Sequence, residues 1–109
     1  MKGLCVLGST GSIGVSTLDV AGRHPDQYRV IALTANGNWE RLAEQCEAFR
    51  PAFAVMIDPA QADRLKDALK AKGVNETKVL TGAKALEEVS TLPEVDSVRS
   101  EEHTSELQS

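Results

Sequence analysis

Apolar positions along this chain change period repeatedly. Leu4-Cys5-Val6-Leu7 is a short continuous run, and the stretch after it carries Ile13, Thr17, Val20 and Ala21 at helical spacing. The first predicts a strand over Gly3 to Leu7. The second predicts a helix that stops near His24, because Pro25 disfavours helical geometry in the residue before it. Tyr28-Arg29-Val30-Ile31-Ala32-Leu33-Thr34 reads as a second strand. Trp39, Leu42, Ala43, Cys46 and Phe49 then share one helical face, and Arg50-Pro51 closes that helix. Phe53 to Ile57 is a third strand, nearly continuous in apolar residues, as a strand covered on both faces must be. Asp58-Pro59 supplies an N-cap and a first helical position for a helix over Ala60 to Lys72. Its inward side is Ala62, Leu65, Ala68 and Leu69, with Gly73 just past its end. Val79-Leu80-Thr81 predicts a fourth strand, Ala83 to Ser90 a weaker helix, and Val95 to Val98 the start of another strand.

Strands and helices alternating in this way specify the α/β class, with a Rossmann-like doubly wound parallel sheet, here truncated. The loop between the first strand and the first helix is Gly8-Ser9-Thr10-Gly11-Ser12-Ile13-Gly14. Glycines suit a phosphate cradle for three reasons: a sharp turn out of the strand, a backbone bare of side chains where a diphosphate approaches, and close packing of helix on strand. The helix start that follows offers unpaired N–H groups and a positive dipole end, and Thr10 and Ser12 add hydroxyl donors. The glycine spacing alone also fits an ordinary turn into a helix.

Composition narrows the partners. The chain has 109 residues and a net charge of −4, so it is one small domain or part of a larger protein, with no charge pattern for nucleic acid or an anionic membrane surface. No apolar stretch approaches the roughly 20 residues of a membrane span, and no secretory signal opens the sequence. Cys5 and Cys46 lack partners at metal-ligand spacing and read as reduced packing residues of a cytoplasmic protein.

Preference between dinucleotides turns on the end of the second strand, where an NAD site places a carboxylate on the ribose 2′-hydroxyl. Leu33-Thr34-Ala35-Asn36-Gly37-Asn38 contains none, which favours NADP. Asn36, Asn38 and Arg41 can meet a 2′-phosphate by hydrogen bonds and charge. They serve equally well as turn (Asn36-Gly37), helix cap (Asn38) and solvated surface charge (Arg41).

Met1 through Gly14, followed by Ser16-Thr17-Leu18-Asp19-Val20, resembles the amino-terminal segment of the 1-deoxy-D-xylulose 5-phosphate reductoisomerase family. Arg29-Val30-Ile31-Ala32-Leu33, Glu44-Gln45-Cys46, Arg50-Pro51 with Ala54-Val55-Met56, and Val79-Leu80-Thr81-Gly82 resemble it in register. The similarity covers about residues 1–98. It implies an NADPH-binding domain of an enzyme that rearranges and reduces a phosphorylated ketose, giving 2-C-methyl-D-erythritol 4-phosphate in non-mevalonate isoprenoid biosynthesis. By position, Thr10, Gly11, Ser12 and Ile13 would meet the cofactor's phosphates and adjoining groups, while Asn36, Gly37 and Asn38 would surround the adenosine ribose phosphate. Some members carry lysine where this chain has Gly37, so one cationic partner is lost. The resemblance also implies a homodimeric full-length enzyme using a divalent cation, magnesium or manganese.

The family's Asn-Lys-Glu-Ser segment, acidic metal ligands, mobile loop and helical domain would lie beyond Val98, so the chain is expected to carry no catalytic or metal-ligating residues and to be inactive alone. Asp19, Asp26 and Asp58 fall at three different element ends, Glu87-Glu88 reads as a solvated helix face, and His24 as a helix-terminus residue. Arg99 to Ser109 has one aliphatic residue and the composition of an unfolded tail. It also resembles a sequencing-adapter read-through, which sets it apart from the domain over 1–98. A second function class stays open: a stand-alone nucleotide-binding or regulatory module without catalysis.

Overall fold

The structure, a computed structural model, describes residues 2–35 and 38–100, with backbone only for Ser12, Ile13, Arg99 and Ser100. Five strands and four helices alternate: β1 (Lys2–Leu7), α1 (Ser12–Arg23), β2 (Tyr28–Ala35), α2 (Trp39–Phe49), β3 (Phe53–Met56), α3 (Pro59–Ala71), β4 (Lys78–Thr81), α4 (Ala83–Ser90) and β5 (Ser97–Ser100). The strands form one parallel sheet in the order β4-β3-β2-β1-β5.

That order explains where each helix lies. Connections that step outward from β1 to β4 put α1, α2 and α3 on one face. The connection that returns past β1 to β5 puts α4 on the other, as crossovers of a single hand require. The first face is closed by Leu4, Val6, Leu33 and Met56 of the sheet against Leu18, Ala21, Leu42, Cys46, Leu65 and Leu69. The second packs Cys5, Ala32 and Val55 against Ala85 and Val89 of α4. Burial of each large side chain contributes roughly 1.5–3 kcal/mol.

Punctuation at the helix ends follows the sequence. Asn38 caps α2, its side chain accepting the Arg41 N–H at 3.1 Å, and Asp58 caps α3 by accepting the Ala60 N–H at 3.0 Å. Gly73, at φ +75°, ends α3 with Val74 N–H donating to Leu69 and Gly73 N–H to Lys70, so the left-handed turn satisfies two orphan carbonyls. His24 terminates α1, and Cys5 and Cys46 are buried free thiols.

Three details depart from the periodicity. Val20, expected inward, is 50% exposed at the rim of a hollow of about 140 Å³ with Leu4, Thr17, Ala21 and Tyr28, while Leu18 is buried. Gly14, Leu18 and Ala21 form the stripe that faces the sheet, because α1 is turned to bring Gly14 against the strand-end loop. β2 carries a bulge: Leu4 pairs with Val30 but Cys5 with Ala32, leaving Ile31 as the extra residue. β5 begins at Ser97 and runs through Arg99 and Ser100, which pair with Val6 and Leu7. Strand pairing uses backbone groups, so the polar composition that argued for a tail from Arg99 does not stop the ladder there.

Candidate functional site

The outward and returning crossovers part at the carboxyl ends of β1 and β5, the position where open α/β sheets form a ligand crevice. The Gly8–Gly14 loop lies there, directly after β1. Gly8 turns the chain at φ +70°, a left-handed value that favours glycine. Gly14 has no room for a side chain: a Cβ would sit 2.5 Å from Ser9 Cα and 2.6 Å from the Gly8 carbonyl oxygen. The start of α1 thus rests directly on the loop backbone.

Three other groups hold this loop. Thr34, buried at the end of β2, accepts the Gly8 N–H on Oγ1 at 3.0 Å, and its carbonyl accepts the Ser9 N–H at 2.8 Å. Ser9 is fully buried; its Oγ donates to Gln45 Oε1 at 2.6 Å, and its carbonyl accepts from Gln45 Nε2 at 2.8 Å. Gly11 N–H closes a turn onto the Gly8 carbonyl at 3.0 Å, and its own carbonyl accepts the Val15 N–H at 2.9 Å. The donors of Gly8, Ser9 and Gly11 are therefore used within the fold. The first-turn N–H groups of α1, beginning at Ser12, have no intrahelical acceptor and mark the positive end of its dipole.

Of the residues singled out in the sequence, Thr10, Gly11 and the backbones of Ser12 and Ile13 come together in this loop. Asn38 lies at the start of α2, where its side chain is occupied by the cap, and Arg41 is exposed in the first turn. Asn36 and Gly37 lie outside the described residues. No Asp or Glu stands among the described residues between Thr34 and Asn38; Glu40 opens α2 and is exposed. Thr34 and Gln45 carried no signal of their own: each is a single polar residue among apolar neighbours, and their loop contacts span 26 and 36 positions.

Elsewhere the side chains offer little chemistry. Burial pushes the Cys5 and Cys46 thiols up to about 12, so both are held protonated and inert. Among the described residues no three His, Cys, Asp or Glu side chains gather as metal ligands, and no helix is long and apolar enough to cross a membrane.

Residues 4–101 match the family model described as 1-deoxy-D-xylulose 5-phosphate reductoisomerase. The reductoisomerase of Methylococcus capsulatus is 60% identical over 98 residues, which are 90% of this chain and 25% of that protein. The Nitrosomonas europaea enzyme is 55% identical over 95 residues, 87% of this chain and 23% of that one. Among solved structures, the Zymomonas mobilis enzyme in complex with NADPH superposes with a TM-score of 0.76 at 42% identity, over 84% of this chain and 23% of its own. A reductoisomerase in complex with magnesium gives a TM-score of 0.84 at 33% identity, over 90% of this chain and 24% of its own. The chain thus spans about a quarter of the length of the relatives it matches.

Proposed function

The chain belongs to the 1-deoxy-D-xylulose 5-phosphate reductoisomerase family, and from that premise we propose that residues 1–98 are the NADPH-seating domain of such an enzyme. The observation that carries the reading is the glycine loop at the sheet's switch point, locked by Thr34 and Gln45 and bare of side chain at Gly14, with the start of α1 opening onto the crevice. A dinucleotide's diphosphate fits such a place because anions favour a helix N-terminus.

In this reading the Thr10, Gly11, Ser12 and Ile13 backbones hold the diphosphate, with the Thr10 and Ser12 hydroxyls in support. Asn36, Gly37 and Asn38 surround the ribose phosphate. Arg41 stands one helical turn from Asn38 and supplies the positive charge that a 2′-phosphate requires, and the missing carboxylate removes the usual repulsion. Bound NADPH supplies the hydride for reducing a rearranged ketose phosphate. The residues of this chain bind and orient the cofactor. Metal ligation, substrate binding and proton movement fall to parts of the relatives that this chain does not span, as does pairing into a homodimer. The chain is therefore inactive alone. Residues 99–109 take no part in the site. Two free buried cysteines suit the reducing cytoplasm, where we place the protein.

Calorimetry of the 109-residue chain with NADPH and NADH tests this. Tighter NADPH binding is expected, and Arg41→Ala should erase most of the difference. Equal affinities, or tighter NADH, would remove the 2′-phosphate assignment, and binding of neither would remove the site.

A further inference from the structure

We infer that Gln45 is the positioning residue of this cradle, through which α2 fixes the direction of the Thr10 N–H and joins the two ends of the dinucleotide site; this rests on the reading of the site as an NADPH seat. Ser9 is fully buried, so no water replaces a lost partner there. Gln45 serves it twice, accepting from Oγ at 2.6 Å and donating to the carbonyl at 2.8 Å. Only a side-chain amide both accepts and donates from one planar end, and glutamate or methionine in its place lacks the donor.

The bond to the carbonyl carries the function. Ser9 C=O and Thr10 N–H belong to the same planar peptide unit and point in opposite directions. Holding the carbonyl toward α2 therefore turns the Thr10 N–H away from α2. The rest of the loop cannot do this, because Thr34 holds only the N–H groups of Gly8 and Ser9. α2 also brings Asn38 and Arg41, which share one helical stripe with Gln45 at spacings of three and four residues. One rigid helix thus touches the ribose-phosphate end at its first turn and the diphosphate end two turns later.

The test compares Gln45→Met, which keeps the side-chain length without the amide, with Ser9→Ala, which removes the Oγ bond and leaves the carbonyl bond. Affinities of the full chain for NADPH and for adenosine 2′-monophosphate are measured by calorimetry. Gln45→Met should weaken NADPH about tenfold while leaving adenosine 2′-monophosphate unchanged, and Ser9→Ala should stay within about twofold for both. Equal losses for the two ligands in Gln45→Met would reduce Gln45 to a packing residue and overturn the inference, as would an unchanged NADPH affinity. If the unaltered chain bound neither ligand, the reading of the site would fall separately. Residual dipolar couplings of the Thr10 N–H then decide the inference: one fixed orientation kept in Ser9→Ala and lost in Gln45→Met upholds it, and no change in Gln45→Met overturns it.

Discussion

The two ends of β1 use one device for different purposes. At the amino end, a Cβ on Gly3 would lie 2.1 Å from the Glu94 carbonyl oxygen; Gly3 N–H donates to Asp96 Oδ2 at 2.9 Å, and its carbonyl accepts the Asp96 N–H at 2.8 Å. At the carboxyl end, Gly14 is equally bare, and Thr34 and Gln45 grip the neighbouring backbone. The amino-end clamp consumes both backbone groups of Gly3 and completes a sheet. The carboxyl-end clamp consumes the donors of Gly8, Ser9 and Gly11 and leaves the start of α1 facing outward. A cradle is therefore made less by flexible glycines than by tying down some donors so that the rest keep one direction.

The sharpest break between the ends comes from adding a side chain at each. Gly14→Val and Gly3→Val should both lower stability by about 3 kcal/mol in urea melts, since backbone must move in either case. NADPH affinity of the folded protein should vanish for Gly14→Val and survive for Gly3→Val, and a shared loss would dissolve the distinction. Asp96→Ala should cost about 2 kcal/mol by orphaning the Gly3 N–H, again with NADPH affinity unchanged.

Cys5, midway along β1, gives a pH handle on both ends. Its folded pKa of about 12 lies above the ordinary 9.0, so the stabilisation is complete below pH 9 and is lost as pH rises toward 12. With Cys46 shifted alike, each thiol should add up to ~1.4 kcal/mol of loss per pH unit in that window. Cys5→Ala should halve the cysteine-dependent slope in urea melts between pH 9 and 10.5, and an unchanged slope would contradict the burial argument.

At the cofactor end alone, Asn38→Ala should remove the α2 cap for about 1 kcal/mol and weaken NADPH more than NADH. The smallest effect is a control remote from both ends. Glu76 is held below its ordinary value by the N–H of its own backbone and by Arg50. Its small contribution is present above pH 4.5 and lost below it as the carboxylate protonates. Glu76→Gln should flatten that acid-side loss slightly without touching cofactor affinity.

The same two ends show what the sequence discloses. The carboxyl end is legible because strand, glycine loop and helix are contiguous, and a resemblance rests on those same residues. The amino end is illegible: Gly3 and Asp96 stand 93 positions apart, and Asp96 lies in Leu92-Pro93-Glu94-Val95-Asp96, which has no period to place it. Helix boundaries followed from their caps, as at Asn38, Asp58 and Gly73. The facing of α1 did not, because the contact at Gly14, rather than the apolar pattern, sets the helix's rotation and turns Val20 outward. The bulge at Ile31 is hidden for a related reason: in a strand buried on both faces, an extra apolar residue leaves the pattern unchanged.

The 93-residue separation between Gly3 and Asp96 also sets an order in time. At ribosomal rates of about 5–20 residues per second, β5 follows β1 by roughly 5 to 20 s. Helix formation and hydrophobic collapse take microseconds, so β1 to β4 and their three helices have ample time to assemble first. β1 then waits as an edge strand beside its future neighbour's empty place, and its pairing with β5 is the slow, long-range closure that ends folding.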